Sequence, residues 1–226
     1  MNYELIRERL YAMADDKYRV FVSSLIPNHG NLIGVRLPDI RKLASEIAKE
    51  NPEEFLSLAK DDSFEEIMLQ GFVISKIDDF EKVKKLCQNH IAKIYNWSLC
   101  DSFVTSLKIF NNHKPEVFEF IQSYLKSDQT YNLRFAVVVL LDYFVEEEYL
   151  SKLFKIFDSI KNDDYYVKMA LAWAISVCFV KFPDDTMEYL KNCDLRDDVF
   201  NKALQKIRES NRVKAEIKAV IKNMKK

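Results

Sequence analysis

The feature that most constrains the fold of this chain is an apolar, helix-like segment that recurs about every 34 residues. Each copy opens with a charged residue, and successive openings lie 35, 33, 34 and 34 residues apart. This period fits two helices joined by short turns, which is the unit of an α-solenoid, and one such unit cannot bury its apolar stripe unless neighbours stack on it. The opening residues are Glu66, Asp101, Arg134, Lys168 and Lys202.

Amphipathic stretches separate the repeated segments, for example FEKVKKLCQNHIAKI at 80–94 and EEEYLSKLFKIFDSIK at 146–161. Only three glycines occur in 226 residues, whereas tight hairpins and βα loops normally use more. We therefore predict an all-α protein, an α-solenoid of helical hairpins that forms a single domain over residues 1–226. An irregular helical bundle with accidental spacing is the alternative.

Composition and spacing exclude several classes of protein. The N-terminal MNYELIRERL lacks the features of a secretory signal, and the longest strongly apolar run, 169–180, has 12 residues, whereas a membrane helix needs about 20. We therefore expect a cytoplasmic protein that does not enter a membrane. The four cysteines and three histidines lack the spacing of metal ligands, so we expect no metal and no cofactor. No segment signals oligomerisation, and we expect a monomer.

The net charge of −1 hides an asymmetry along the chain. Residues 202–226 carry nine Lys or Arg and two Glu, a balance of +7, so the preceding residues carry −8. A basic end on an acidic body predicts an electropositive surface for an anionic partner, although a solvated C-terminal helix would show the same pattern. The candidate residues for binding such an anionic partner in this segment are Lys202, Lys206, Arg208 and Arg212.

The stretch NWSLCDSF at 96–103 places one of only two tryptophans four residues before an acid. Residues four apart share a face of a helix, so Trp97 and Asp101 are predicted to point the same way. Either the pair is a packing detail, or an indole face and a fixed anion are directed together at a ligand. The second tryptophan, Trp173, lies in MALAWAISV, where an isolated tryptophan is more often part of the core.

The order and spacing of four segments resemble the AlkD-like DNA alkylation repair proteins, a family built from HEAT-like helical repeats. The resemblance covers nearly the whole chain and rests on the segments as a set, since no single one is highly specific. It implies that the repeats of this solenoid are HEAT-like. The segments are IGVRLPDIRKLASEI (33–47), NWSLCDSF (96–103), NLRFAVVVLLDYF (132–144) and YYVKMALAWAISVCFVKFP (165–183).

The resemblance implies a glycosylase that excises bases alkylated at N3 or N7 and engages duplex DNA mainly through its backbone. Trp97, Asp101 and Trp173 fall on positions of the family's lesion cleft, which makes them the candidate catalytic residues. Arg134 falls on the position of the cleft arginine, and it would hold phosphates together with Lys168. Indole faces and a carboxylate suit this role because both stabilise the positive charge that develops on the deoxyribose.

Two departures from the family pattern bear on activity. Glycosylase members usually place an arginine three residues after the second tryptophan, where this chain has Ser176. The segment before GVRLPDIRKL is also short, and we expect little more than one full helix and a short piece ending near Pro27, as in a branch that lacks an N-terminal DNA-contacting helix. Three hypotheses therefore stand: a glycosylase for cationic alkylpurines, a non-catalytic protein that binds damaged or branched DNA, and a protein-binding solenoid.

Overall fold

A computed structural model describes residues 3–226 of the chain. Within this range the regular elements are all helices and no strand occurs, which confirms the prediction of an all-α protein. The helices divide into two compact units, one ending at His113 and the other beginning at Lys114. The assignment of residues 1–226 to a single domain therefore stays a prediction. No helix in residues 3–226 combines the length and the apolar character that crossing a membrane requires.

The first unit contains seven α-helices among its described residues. α3 and α7 both pack against α5, and α4 and α6 also contact α5. Every residue of α5 is buried, including Glu65, Glu66 and Gln70, so α5 forms the centre of this unit and its polar side chains need partners within the protein. The elements are α1 (Tyr3–Ala12), α2 (Asp16–Leu25), α3 (Leu37–Glu50), α4 (Pro52–Leu58), α5 (Phe64–Ile74), α6 (Phe80–Ile91), α7 (Trp97–Val104) and a 3-10 helix at Lys108–Asn112.

The N-terminal segment differs from the prediction of one full helix and a short piece. It forms two helices, α1 and α2, of ten residues each. The second helix starts soon after the first because the Asp15 side chain accepts a hydrogen bond from Tyr18 N at 3.0 Å and caps α2. The segment thus supplies two full helices before α3.

A buried carboxylate anchors the loop that leads into α3. Glu65, at the start of α5, accepts hydrogen bonds from the backbone N–H groups of Ile33, Gly34 and Val35 at 2.9, 2.7 and 3.2 Å. The glycine has a φ of +97°, and a Cβ there would lie 2.6 Å from Cβ of Arg19. The IGV sequence therefore fits a backbone conformation and a close approach that only glycine tolerates.

The second unit repeats the alternating pattern of the first. α12 packs against α10 and α14, its second neighbours along the chain, while α13 packs on α12 and α15 packs on α14. The elements are α8 (Lys114–Phe120), α9 (Gln122–Leu125), α10 (Thr130–Tyr143), α11 (Glu147–Ser159), α12 (Tyr165–Lys181), α13 (Pro183–Asn192), α14 (Asp197–Glu209) and α15 (Ala215–Lys222).

The 34-residue period corresponds to this alternation of helices. The five opening charges all lie within the first two turns of α5, α7, α10, α12 and α14, which are alternate helices of the chain if the α8–α9 pair counts as one. The intervening amphipathic stretches form α6, α8 with α9, α11 and α13. The repeat of helical hairpins is thus present in both units, while the finer HEAT-like assignment stays a prediction.

Candidate functional site

A cationic pocket on the second unit is formed by α12 and α14 and the turn after α14. It has a volume of about 350 Å³, and Trp173 from α12 lies in its wall. The indole is half-buried, whereas nine of the 17 residues of α12 are buried. Lys181, Lys206 and Arg212 also line the pocket, against a single acid, Glu209. An aromatic face surrounded by cations is a surface suited to a nucleic acid backbone and its bases.

Ser176 lies in this same pocket wall, three residues after Trp173. The residue is 7% exposed, and its hydroxyl donates to the Trp173 carbonyl oxygen at 2.7 Å. The hydroxyl is therefore engaged with its own helix, and the position carries no charge toward the pocket. This is the position where the family resemblance calls for an arginine.

Burial is the main influence on Lys206 and lowers the pKa of its ammonium group. The charge of Glu209 opposes this effect, and the charges of Lys202 and Arg134 make smaller contributions that lower the pKa further. The charges of Lys202 and Arg134 thus act on the pocket as well as on their own contacts.

Arg134 is buried, whereas a side chain that binds phosphate would be expected to be exposed. The residue is 5% exposed, and its guanidinium donates to the Tyr166 carbonyl oxygen at 2.6 Å. This contact ties α10 to the first turn of α12. The charge of Arg134 still acts on Lys206, so it contributes to the positive potential of the unit.

The remaining predicted cations occupy a second depression, between α14 and α15. Lys202 and Arg208 line a pocket of about 260 Å³ together with Lys222 and Lys225. Lys168 lies at its edge, where its ammonium group is paired with Asp198 at 2.8 Å. The cations predicted as DNA-binding therefore all lie in the second unit; apart from the buried Arg134, they are divided between the Trp173 pocket and this depression with its edge.

Trp97 lies in a very different setting, as the first residue of α7 in the first unit. The Asn96 side chain accepts from Leu99 N at 3.0 Å and caps the helix. The indole is half-buried and lines a pocket of about 150 Å³ whose other walls are mainly apolar side chains of α2 and α5. Phe21 and Leu25 of α2 form part of this pocket and are 58% and 51% exposed.

Asp101 lies one turn after Trp97 on the same helix, as predicted. α7 is α-helical through both residues, so their side chains share a face. Asp101 is half-buried, and its backbone carbonyl accepts from Thr105 N at 3.0 Å and from Thr105 Oγ1 at 2.9 Å. The carboxylate is thus held on a capped helix that packs against the buried α5.

The predicted site residues are brought together in two groups. Trp97 and Asp101 lie on one helix of the first unit, and Trp173 lies with Lys206 and Arg212 in one pocket of the second. The prediction that both indoles line one groove concerns both units and stays a prediction. Among residues 3–226 no group of three or more His, Cys, Asp or Glu side chains has the arrangement of a metal site.

Sequence reasoning missed two charged residues of the Trp173 pocket, Lys181 and Glu209. Lys181 ends α12, and Glu209 ends α14. Both could have been found from helical spacing, because Lys181 lies eight residues after Trp173 and Glu209 lies three residues after Lys206, and each separation keeps a residue on the same side of a helix.

Comparison of the sequence with models of known protein families gives a match. A family model described as DNA alkylation repair enzyme matches residues 6–210, which include both tryptophans, Asp101 and all helices from α3 to α14. A search of the curated proteins finds no match to this chain. A family match over this share of the sequence, on an all-α chain with the expected repeat, confirms the family resemblance. The chain belongs to the DNA alkylation repair enzyme family.

Proposed function

We propose that this protein binds duplex DNA through the cationic surface of its second unit and hydrolyses the N-glycosidic bond of cationic N3- or N7-alkylpurines. The observation that carries the proposal is the pocket in which Trp173 lies with Lys206 and Arg212. The family membership supplies the class of substrate, which is alkylated DNA.

The cations support binding through phosphates. Lys206 and Arg212 line the Trp173 pocket, and Lys202 and Arg208 line the neighbouring depression. Contacts of this kind fix the position of a duplex without reading its sequence. Each neutralised phosphate releases counterions, which gives log K a slope of roughly −0.9 per contact against log salt concentration.

The proposed reaction needs little help from the protein with the leaving group, because the substrate base is already positively charged. An alkyl group at N3 or N7 makes the purine cationic, so the base leaves as a neutral molecule and no strong general acid is required. Positive charge then develops on the deoxyribose. A cation–π contact with an indole face contributes only about 0.5–2 kcal/mol, which leaves the larger share to a fixed carboxylate.

Asp101 is the carboxylate that this mechanism uses. The helix that carries it is capped and packs against α5, which fixes the backbone from which the charge extends, and preorganised charge stabilises a transition state more than mobile solvent does. In the proposed reaction Asp101 stabilises the sugar cation and orients the attacking water. Trp97 presents its indole face one turn earlier on the same side of α7.

A non-catalytic DNA-binding protein is the second candidate. The observation that favours it is Ser176, whose hydroxyl is engaged with the Trp173 carbonyl and leaves this part of the pocket wall uncharged. Such a protein would use the same cations to bind damaged or branched DNA and would release no base.

One experiment separates these functions. Release of base from a duplex containing 7-methylguanine is measured beside the dissociation constant for the same duplex at several salt concentrations, with the unmodified duplex as control. We expect base release together with a steep salt dependence of binding. Salt-dependent binding without base release would replace the glycosylase with the non-catalytic protein. Absence of salt-dependent DNA binding would contradict both and favour a protein-binding solenoid.

A further inference from the structure

Lys206 differs from the other lysines near it because its amine has no partner. Lys168 is paired with Asp198 at 2.8 Å, Lys202 donates to Gln205 Oε1 at 2.9 Å, and Lys181 donates to a backbone carbonyl oxygen at 3.2 Å. In the part of the chain that the structure describes, the Lys206 side chain makes no hydrogen bond and no ion pair. Of the two lysines that line the pocket, Lys206 is the half-buried one whose amine makes no hydrogen bond or ion pair with the described residues.

The surroundings of Lys206 favour the neutral amine. Burial lowers the pKa of this side chain; Glu209 opposes this effect, and the positive charges of Lys202 and Arg134 add smaller contributions that lower the pKa. Burial and like charge are the two means by which proteins turn a lysine into a nucleophile. A lysine whose role was only to neutralise phosphate would gain nothing from either.

The pocket has room for the sugar that such an amine could attack. Its volume of about 350 Å³ is within the range of small-molecule sites. Trp173 offers a flat wall for a sugar or a base, and the exposed Arg212 can bind a flanking phosphate. Lys206 lines the same space, so its amine can reach a deoxyribose placed there.

We propose that Lys206 is a nucleophile that forms an imine with the ring-opened aldehyde of an abasic deoxyribose, the product that base release leaves in DNA. The inference rests on the proposed binding of DNA at this pocket, but it does not require that this protein itself releases the base. It gives the protein a second activity, the covalent capture of abasic sites, through a residue that sequence reasoning assigned only to phosphate binding.

The step needs no co-reactant. The lone pair of Lys206 Nζ attacks C1′ of the aldehyde, and the electrons of the C–O π bond pass to oxygen. The resulting carbinolamine loses water, since the two protons of the amine leave with the former carbonyl oxygen, and a C1′=N double bond remains. Hydrolysis reverses the step and returns the free amine.

The test is reductive trapping on a duplex with one abasic site. The protein is incubated with this duplex and sodium borohydride, the covalent protein–DNA adduct is quantified on a denaturing gel, and the adduct is mapped by proteolysis and mass spectrometry. We expect an adduct that maps to Lys206. Lys206→Arg keeps the charge but removes the nucleophile, and it should reduce the yield of adduct at least about 100-fold at equal DNA occupancy. Lys155→Arg, on α11, is the matched control and should give the wild-type yield.

Mapping of the wild-type adduct keeps the test decisive even if the variant folds poorly. An adduct at another lysine, or no adduct from a duplex that is demonstrably bound, would overturn the role of Lys206 and leave the proposed DNA binding intact. Failure of the abasic duplex to bind at low salt would overturn both proposals.

Discussion

The two units each present one tryptophan in a pocket, yet the pockets have opposite character. Trp97 lines a narrow space of about 150 Å³ walled mainly by apolar side chains. Trp173 lines a wider space of about 350 Å³ that it shares with Lys181, Lys206 and Arg212. The same kind of scaffold, alternate helices packed in a row, therefore carries an apolar site in one unit and a cationic site in the other.

The difference extends to how each unit uses its charges. In the first unit the opening charge of the repeat, Glu66, is 2% exposed, and it accepts from the Tyr3 hydroxyl at 2.7 Å and lies 2.9 Å from Arg7 Nε. In the second unit the opening charges Arg134, Lys168 and Lys202 also have partners within the protein. The cations that remain open to a pocket, Lys206 and Arg212, lie outside the repeated position, so the opening charges stabilise the fold while other residues are available to a ligand.

The largest expected effect is on catalysis, from substitution of Asp101 in the first unit. Asp101→Asn should lower the rate of 7-methylguanine release at least about 100-fold, because it removes a preorganised charge from the developing sugar cation, while affinity for unmodified duplex changes little. Single-turnover excision and a binding titration measure the two effects. Asp78→Asn, an exposed acid of the same unit, is the control. Wild-type excision by Asp101→Asn would remove this residue from the mechanism.

The cationic pocket is tested by a double charge reversal. Lys206→Glu combined with Arg212→Glu should weaken DNA binding about 10- to 100-fold near 0.1 M salt for every sequence tested, and should flatten the salt slope by roughly two units. Fluorescence anisotropy at several salt concentrations measures both changes. Lys155→Glu with Lys191→Glu makes the same change in net charge on α11 and α13. Equal loss of affinity in both double variants would mean that overall charge, not this pocket, drives binding.

A buried histidine should make the first unit the acid-sensitive one. Burial, followed by the charge of Lys93 and against that of Asp61, lowers the pKa of His90 from 6.5 to about 3. The neutral ring therefore stabilises the folded state fully above pH 6.5, and this contribution is lost as the pH falls toward 3, by up to about 1.4 kcal/mol per pH unit.

Denaturant unfolding at pH 7, 6, 5 and 4 checks this expectation. His90→Gln should be less stable than wild type at pH 7, but the difference in stability should shrink as the pH falls, since the variant has no such proton to take up. Parallel pH profiles for the two proteins would contradict the assignment of His90.

The smallest expected effect is that of adding a positive charge at Ser176 in the second unit. Ser176→Arg should bind duplex DNA about three- to tenfold more tightly, because it adds a cation that can extend into the Trp173 pocket and contact phosphate. Ser176→Gln, of similar length without the charge, is the control for the loss of the serine hydrogen bond. Titrations at equal salt compare them, and equal affinities would show that this part of the wall does not face DNA.

The helical repeat was predictable because it depends on local periodicity. The spacing of the five charged openings and the scarcity of glycine both follow from the sequence, and alternate helices carry those openings in the structure. The second N-terminal helix, α2, was not predicted, and its start depends on the side-chain cap at Asp15. Its presence in turn shapes the pocket of Trp97, to which α2 contributes Phe21 and Leu25.

The character of each site residue depends on contacts between distant parts of the chain. The sequence identifies Arg134 as a candidate for phosphate binding, but only packing shows that its guanidinium is buried and donates to the Tyr166 carbonyl oxygen. In the same way nothing in the sequence separates Lys206 from Lys202, although one amine is uncommitted and the other donates to Gln205.

The most direct test of the contrast between the units uses the two indoles as reporters. Trp97→Phe leaves Trp173 as the single tryptophan, and its fluorescence is followed while duplex DNA containing 7-methylguanine is added at low salt. We predict strong quenching whose midpoint equals the dissociation constant from anisotropy, because nucleic acid occupies the pocket beside this ring. Unchanged emission from Trp173 at saturating, demonstrably bound DNA would contradict the assignment of the cationic pocket as the DNA site.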